Sequence, residues 1–393
     1  HRYQALVSFM LDIQAKPLVR SQSQSHLQTS SQQEARLQTR GVEDSSPAYA
    51  DHSVLASGKW AKIRVSETGI HQLTADVVRR AGFSDISKVK IYGYGGNLQN
   101  EALYAQDIRE TDDLKEVPQY VVDGRHYFYA RGAVSWSSPT ATVRTRNPYS
   151  DYGYYFITQS DESPSLWADS ASFVSSCHPM PEDYHSLYEV DGFSWMQGGR
   201  NLFHPTAVKV GDTQKVVITN PTGCSRGKLV VAVTAGTNSQ VQIRKNQQKL
   251  GTLSLQLPVN TSSSAYTVGV ERSATYPLQD FGEKDTIEIQ PLSGGPVHLD
   301  YVAVTWEQPA PFAGFGSQIP AAEYVYGITP QDHHADGAAD MVIIIPTSQK
   351  LLKQAQRLKE FHETHDGLRV NIVPADELYN EFSSGTPDAN AYR

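Results

Sequence analysis

The decisive stretch of this sequence is residues 341–373, which read MVIIIPTSQKLLKQAQRLKEFHETHDGLRVNIV. The first five residues are all apolar and do not alternate with polar residues, which is typical of a strand buried on both faces. Apolar residues then recur at helical spacing, at Leu351, Ala355, Leu358 and Phe361. The dipeptide Asp366-Gly367 ends this helix, and a second strand follows over residues 368–373. This order predicts a βαβ unit with parallel strands and a right-handed crossover.

The βαβ unit needs more neighbours than these residues provide. Two parallel strands cannot cover a sheet on both faces, because such sheets normally have about five strands with helices on each side. The tripeptide Thr386-Pro387-Asp388 predicts the start of a further helix, but the sequence stops soon after it. We therefore expect residues 321–393 to be the truncated beginning of a larger α/β domain.

Upstream of this unit the sequence predicts two β domains. Over residues 53–160, short β runs alternate with turns, and Thr74 caps a single helix, so we expect a small mainly β domain with one helix. Between about residues 200 and 306 the pattern is purely β, with runs spaced by Gly, Pro and Asn, which predicts that residues 161–308 form a β-sandwich resembling a jelly roll. Alternation in the last strand of the sandwich places four side chains on one face: Leu299, Tyr301, Ala303 and Thr305.

The first 52 residues have a different character. Apolar residues alternate from Tyr3 to Ile13, so we predict that residues 1–17 hold a strand belonging to an upstream β domain. From Ser21 to Arg40, thirteen of twenty residues are Ser, Gln or Thr, a composition that cannot bury a core. Residues 18–52 are therefore interpreted as a linker.

Composition excludes several classes of protein. The chain has 34 Lys and Arg against 42 Asp and Glu, and a net charge of −8 does not favour binding to a nucleic-acid backbone. Its wholly apolar runs are much shorter than the roughly 20 residues that a membrane helix needs. The two cysteines, Cys177 and Cys224, are too few for a disulfide framework, although one bridge between them is allowed.

Neither cysteine is predicted to be catalytic. Cys224 lies in a Gly-Cys-Ser-Arg-Gly loop, but the surrounding β region lacks the buried parallel strand that would orient a nucleophile. Cys177 and His178 are neighbours, yet neighbours in a strand point to opposite faces. We predict no catalytic residue, metal ligand or cofactor in this chain.

Four other features invite a functional interpretation and have a simpler alternative. Five residues form a cluster that suits calcium or a softer metal, with a solvated loop as the alternative: Asp332, His333, His334, Asp336 and Asp340. His362 and His365 are three positions apart, whereas the zinc-protease motif needs four. The glycine-rich segment Tyr92–Gly96 opens no evident helix, so a turn is favoured over a phosphate site. The many tyrosines suit either a sugar-binding surface or ordinary cross-strand pairs.

Several motifs resemble those of the gingipain-type cysteine peptidase family. The most specific is YNEFSSGTPD at residues 379–388, which follows the βαβ unit. Further upstream, four segments resemble the N-terminal region of one branch of the family, the sortase of the type IX secretion system. They are GKWAKIRVSETGIHQLT (58–74), KIYGYGGN (90–97), HYFYARG (126–132) and NPYSDYGYYF (147–156).

The resemblance implies a caspase-like peptidase fold at the C-terminal end and a cell-surface enzyme on the outer membrane. Such a sortase removes the C-terminal signal domain of type IX cargo and joins the cargo to lipopolysaccharide, with an outer-membrane barrel protein as a further implied partner. The family places its catalytic His in a His-Gly step, and none of the 13 histidines here precedes a glycine. We therefore expect the catalytic His and Cys to lie downstream, and this chain alone to be inactive.

Two alternatives remain open at this point. One is a surface adhesion or carbohydrate-binding β protein without enzymatic activity, since β-sandwiches bind more often than they catalyse. The other is a gingipain-like protease of broad function, which shares the fold and differs in substrate.

Overall fold

The computed structural model describes residues 50–102, 104–196, 201–258 and 268–393. The predicted strand in residues 1–17 and most of the predicted linker 18–52 lie outside the described residues. In the described part the protein is mainly β, with a β-sandwich and a terminal βαβ unit, as the sequence predicts. None of the described helices is long and apolar enough to cross a membrane.

The small β domain begins with two antiparallel sheets that share one apolar core. Its first helix is capped by the Thr74 hydroxyl, as predicted, whereas a second helix is present that the sequence pattern does not show. The elements are β1 (Trp60–Val65), β2 (Gly69–Leu73), α1 (Ala75–Arg80), β3 (Val89–Tyr92), α2 (Ala105–Glu110), β4 (Tyr120–Val122), β5 (Arg125–Ala130), β6 (Val134–Trp136), β7 (Arg144–Arg146) and β8 (Gly153–Gln159). The second helix lacks apolar periodicity, and Asp107 stabilises its start by accepting a hydrogen bond from the Tyr104 N–H.

The sandwich consists of two four-stranded antiparallel sheets, and a short helix, α3 (Ser170–Cys177), precedes it. Its strands are β9 (His185–Glu189), β10 (Gln214–Thr219), β11 (Gly227–Ala235), β12 (Ser239–Lys245), β13 (Gln248–Leu255), β14 (Val270–Leu278), β15 (Lys284–Ser293) and β16 (Val297–Trp306). The strands are ordered β10-β15-β12-β13 in one sheet and β14-β11-β16-β9 in the other. Apolar side chains from both sheets fill the space between them, which is how two such sheets form a common core.

Strand β16 departs from the predicted alternation. Ala232 of β11 lies opposite Tyr301, but the next residue, Val233, lies opposite Leu299, so Asp300 is an extra residue in a β-bulge. The bulge places Leu299 in the main core, while Tyr301 belongs to a second cluster on the other face of the sheet. The prediction that Leu299 and Tyr301 share a face is therefore wrong, because a strand period of two does not hold across a bulge.

The hairpin β6–β7 joins the small β domain to the sandwich. Trp136 packs on the outer face of the sandwich sheet, and its ring is stacked on that of His185 with centroids 3.8 Å apart. Arg144 lies beside it with a side chain that is 11% exposed, and it forms ion pairs with Glu189 and Asp300. Both an apolar contact and a buried ionic contact thus connect the two domains.

The C-terminal residues form the predicted βαβ unit. Its elements are β18 (Met341–Ile345), α4 (Leu352–Phe361) and β19 (Val370–Pro374), and the two strands are parallel from Met341–Val370 to Ile345–Pro374. The strand before it, β17 (Glu323–Ile328), is antiparallel to β1 and extends the sheet of the small β domain. The structure thus assigns residues 323–328 to that sheet, although the sequence groups them with the α/β region.

A helix that the sequence does not predict follows β19 directly, α5 (Ala375–Phe382). The segment Thr386-Pro387-Asp388 leads only to a single short turn, Ala389–Tyr392, and the cap is Asp388, whose Oδ1 accepts from the Asn390 N–H at 2.9 Å. Thr386 does not cap a helix, because its hydroxyl is bonded elsewhere.

Candidate functional site

A run of buried polar residues extends from α5 into the loop that follows it. Six of these residues are at most 5% exposed: Asn380, Glu381, Ser383, Ser384, Thr386 and Asp388. Buried polar groups are costly unless they are hydrogen-bonded, so their partners define what the segment does. We refer to residues 383–388 as the docking loop, because its partners lie largely in the small β domain.

Lys62 of β1 enters this site from the small β domain. Its Nζ donates hydrogen bonds to the carbonyl oxygen of Gly385 at 2.5 Å and to Oδ1 of Asn380 at 3.2 Å. The ring of Tyr154 lies 4.4 Å from Nζ, which is a cation–π distance. Burial lowers the pKa of Lys62 to about 7, opposed by the negative charge of Asp376. The enclosed amine binds the docking loop and is not accessible to a substrate.

The turn after β3 holds the docking loop from a second side. Ser384 Oγ accepts hydrogen bonds from the N–H groups of Tyr94 at 3.0 Å and Gly95 at 3.3 Å, and donates one to the Tyr154 carbonyl oxygen at 2.9 Å. One donated and two accepted bonds use the full capacity of a hydroxyl. A Cβ on Gly93 would lie 2.6 Å from this oxygen, so the close approach requires glycine.

Thr386 and its neighbours fasten the rest of the docking loop. Thr386 Oγ1 donates to the Gly95 carbonyl oxygen at 3.2 Å and accepts from the Tyr154 N–H at 3.3 Å. Two further contacts hold the end of the loop: Asn147 Nδ2 donates to the Pro387 carbonyl oxygen at 3.1 Å, and the Gln99 N–H donates to Asp388 Oδ2 at 2.9 Å. Backbone and side-chain groups of the loop are thus matched individually by the β domain.

Glu381 is fully buried and binds the turn that precedes β18. Its Oε2 lies 2.7 Å from Nδ1 of His334 and accepts from the His333 N–H at 3.0 Å. The other ring nitrogen of His334 lies 2.7 Å from the carbonyl oxygen of Asp112. The Glu381 carboxylate raises the pKa of His334 to about 9, so the imidazole is protonated at neutral pH and both nitrogens donate. This pair ties α5 to the small β domain.

The candidate metal cluster at residues 332–340 does not converge on one point. No group of three or more His, Cys, Asp or Glu side chains among the described residues is arranged to hold a metal ion. Its members form separate pairs instead: Asp332 with His52, His333 with Glu377 and Asp336, His334 with Glu381, and Asp340 with Arg369. The solvated-loop alternative is also wrong for His334, whose side chain is 4% exposed.

The buried thiol of Cys177 shows none of the features of a nucleophile. Both thiols are free, so the bridge allowed by the sequence is not formed. Cys177 is buried at the end of α3, its Sγ donates to the Phe173 carbonyl oxygen, and burial raises the pKa of the thiol to about 11. His178 pairs with Asp183 at 3.0 Å. That the chain contains no catalytic residue stays a prediction.

The remaining candidate residues have structural partners as well. His362 Nδ1 lies 2.6 Å from Asp366 Oδ2 in the turn that ends α4. Among the tyrosines, Tyr152 lies under the guanidinium of Arg64 at 4.0 Å, and Tyr155 is fully buried. These contacts account for His362, Tyr152 and Tyr155 through packing.

Sequence reasoning missed the residues that form this site, above all Lys62, Ser384 and Thr386. A lysine in a short β run is ordinarily placed on the solvent side, and its burial depends on α5, more than 300 positions away. One local indication was available. The docking loop is part of YNEFSSGTPD, the most specific motif in the chain. In the structure, Ser384 and Gly385 of this motif both have positive φ, at 52° and 72°.

Comparison with known proteins places the terminal segment in a peptidase family. Residues 334–393, which include the βαβ unit, α5 and the docking loop, match the model of peptidase family C25. The fold and this match define the class, a mainly β protein whose residues 334–393 are similar to peptidase family C25.

A particular solved structure resembles most of the chain. The crystal structure of dimeric latent PorU from Porphyromonas gingivalis matches with a TM-score of 0.69 and 26% identity over 87% of this chain. The match covers 39% of the PorU chain, so this chain spans well under half the length of that protein. The chain is similar to PorU in fold and sequence, which confirms the gingipain-type resemblance drawn from its motifs.

Two further solved structures match weakly. A carbohydrate-binding module from Cellvibrio mixtus lichenase 5A has 11% identity and a TM-score of 0.19, over 26% of this chain and 75% of its own. A module from the Zobellia galactanivorans laminarinase LamC has 14% identity and a TM-score of 0.16, over 23% of this chain and 71% of its own. Scores this low carry no argument about function. No curated protein matches the chain.

Proposed function

We propose that this chain is the N-terminal accessory region of a cell-surface cysteine peptidase and sortase, which cleaves the C-terminal signal domain from type IX secretion cargo and anchors the cargo to lipopolysaccharide. The observation that carries the proposal is the combination of a C25 segment over residues 334–393 with similarity to PorU over 87% of the chain. The catalytic His and Cys belong to the part of the protein downstream of this chain.

The exposed apolar surface of the βαβ unit supports this arrangement. Val342 and Ile344 of β18 are 51% and 40% exposed, and Leu358 and Phe361 of α4 are 43% and 53% exposed. A strand buried on both faces is the usual state of a parallel sheet, so these side chains are suited to contact further strands and helices. In the proposal, the remainder of the C25 domain covers them.

A thiolate enzyme suits the anchoring reaction. Attack of a cysteine on the bond before the signal domain forms a thioester and releases the signal domain, and an amine then attacks the thioester and restores the thiol. The small β domain and the sandwich hold the peptidase domain at the outer face of the outer membrane, where cargo, a barrel protein and lipopolysaccharide are its partners.

Deletion of the gene tests the proposal. In the deletion strain we expect cargo to keep its signal domain, detected as a larger mass, and to be released without lipopolysaccharide. A plasmid copy of the whole protein should restore cleavage of the signal domain and attachment to lipopolysaccharide. Normal processing and anchoring in the deletion strain would contradict the proposal. If only digestion of added casein is lost, the protein is a general protease. Glycan binding with unchanged processing would identify an adhesion protein.

A further inference from the structure

The docking loop is held by three separate elements of the small β domain. Lys62 comes from β1, the Tyr94 and Gly95 N–H groups from the turn after β3, and the main chain of Tyr154 from β8. We propose that Lys62, Ser384 and Thr386 are positioning residues, through which the small β domain sets the orientation of the first strands of the peptidase domain. The inference deepens the proposed function and assumes that a peptidase domain continues from this segment.

The orientation of α5 is passed directly to the peptidase sheet. Strand β19 ends at Pro374 and α5 begins at Ala375, so no flexible residue separates them. Because β19 is hydrogen-bonded to β18 along its whole length, the pair moves with α5. Fixing one end of α5 against the β domain therefore also fixes the sheet.

The contact is specific because it is polar and buried. An apolar contact tolerates small shifts, whereas each hydrogen bond here depends on distance and angle. A shift of about 1 Å would leave several buried groups without partners, and each such group costs free energy. Ser384 and Gly385 also adopt positive φ, a conformation that the surrounding contacts must maintain.

Hydrogen–deuterium exchange on the intact chain tests the inference. The test variants are Lys62→Met and Thr386→Val, which remove the polar groups at nearly constant volume. Lys90→Met is the control, because Lys90 is a buried lysine of β3 in the same sheet that pairs with Glu162 away from the docking loop. Thr386→Ser keeps the hydroxyl and serves as the rescue variant.

We expect peptides from residues 370–388 to exchange at least about tenfold faster in Lys62→Met and Thr386→Val than in the wild type, the effect of losing one or two buried hydrogen bonds. Peptides from β11 and β16 should exchange as before, which shows that the sandwich remains folded. Thr386→Ser and Lys90→Met should behave like the wild type. Unchanged exchange in both test variants would overturn the inference, as would an equal increase throughout the chain.

A second measurement separates this inference from the proposed function. In the whole protein, cleavage of a peptide that spans the signal-domain junction should show a kcat at least about fivefold lower in Thr386→Val, with KM unchanged and Thr386→Ser at the wild-type rate. If the wild type does not cleave the peptide, the proposed function is wrong. The exchange experiment then still shows whether Lys62 and Thr386 hold residues 370–388 against the small β domain. If exchange rises and kcat does not fall, the three residues stabilise the junction without positioning the enzyme, and the inference is wrong.

Discussion

The Nζ of Lys62 donates a hydrogen bond to the carbonyl oxygen of Gly385, 323 positions further along the chain. One partner lies in the first strand of the small β domain and the other in the segment that matches peptidase family C25. The peptidase-family segment is therefore not attached to the β region by a linker alone. Its residues 380–388 share buried contacts with a domain encoded some 230 to 320 positions upstream.

The histidines at this junction should make its stability fall as the pH rises. Hydrogen bonds to Glu377 and Glu381 raise the pKa values of His333 and His334 to about 9, against about 6.5 in an unfolded chain. Between these values the folded state binds more protons than the unfolded state. The stabilisation is complete below pH 6.5 and is lost as the pH rises through about 9.

Lys62 has the opposite effect. Its pKa is lowered to about 7, so between about pH 7 and 10.5 the unfolded state binds the extra proton and stability rises with pH. Two histidines outweigh one lysine between about pH 7 and 9, so stability should fall over this range. Above pH 9 the raised pKa of the Cys177 thiol, about 11, offsets the effect of Lys62, so we expect no recovery of stability. Urea titrations at about pH 6, 9 and 10 measure this dependence. In Glu381→Gln the decrease between about pH 7 and 9 should largely disappear, because one histidine and one lysine then offset each other; an unchanged slope would contradict the assignment to His334.

Local sequence patterns predicted the elements whose contacts are close in sequence. The run 341–345 and the helical spacing after it predict β18, α4 and β19 correctly, since a βαβ unit is completed within about 35 residues. The pairing of β17 with β1 is different. It joins residues such as Arg64 and Glu323, 259 positions apart, and no period in either strand indicates its partner.

The candidate site escaped prediction for the same physical reason. Lys62, Ser384 and Thr386 are polar residues whose local sequence predicts exposure, and only their hydrogen bonds to distant partners make burial favourable. The sequence shows the cluster at residues 332–340, but its carboxylate partners Glu377 and Glu381 lie some 45 positions away on a helix that the local pattern does not indicate. Residue types alone therefore suggested a metal where the structure has ion pairs.

Arg144 should be the most sensitive residue in the contact between the small β domain and the sandwich. Its guanidinium pairs with Glu189 and Asp300 and lies 4.1 Å from the ring of Tyr301. In Arg144→Met, Asp300 stays buried without its cation and Glu189 keeps only the longer contact with Arg146 at 3.8 Å, so we expect a loss of about 3–5 kcal/mol in the free energy of unfolding. Arg144→Lys should also destabilise, because an ammonium cannot bridge two carboxylates as a guanidinium does.

An exposed arginine provides the control for this experiment. Arg226 pairs with Glu307, and both side chains are more than half exposed, so Arg226→Met should cost less than about 1 kcal/mol. Adding Asp300→Asn to Arg144→Met should recover part of the loss, since it removes the unpaired charge. Urea unfolding measures both losses. An equal loss in the free energy of unfolding for Arg144→Met and Arg226→Met would show that the buried ion pairs stabilise the protein no more than an exposed pair does.

The two cysteines should differ in reactivity. Cys177 is 4% exposed and burial raises the pKa of its thiol to about 11, whereas Cys224 is half-buried in a loop. A disulfide-based thiol reagent releases one coloured thiolate for each cysteine that reacts. At neutral pH and without prior reduction, we expect one thiolate per native chain and two per unfolded chain. In Cys224→Ser the native chain should not react. If neither the native nor the unfolded chain had a reactive thiol, a Cys177–Cys224 disulfide would be present, and the prediction would be wrong.

Gly93 should tolerate a side chain worse than a comparable glycine because of Ser384. Gly93 has φ +136°, and a Cβ there would lie 2.6 Å from Ser384 Oγ. Gly69 has φ +151°, and a Cβ there would meet no atom within 4 Å. Gly69→Ala therefore measures the backbone strain alone, about 1–2 kcal/mol. Gly93→Ala should cost about 1–3 kcal/mol more in the free energy of unfolding, because the new methyl group displaces the docking loop.

A double-mutant cycle tests whether the clash with Ser384 is the cause. Ser384→Ala removes the oxygen that the new methyl group would strike, but it also removes three hydrogen bonds and is destabilising by itself. The double variant Gly93→Ala with Ser384→Ala has no such clash. Its loss in the free energy of unfolding should therefore be smaller than the sum of the two single losses by about 1 kcal/mol or more. The pair Gly69→Ala and Ser384→Ala should be additive within about 0.5 kcal/mol, since these positions share no contact. Additivity in both pairs would mean that strain at Gly93, and not its approach to the docking loop, accounts for the effect.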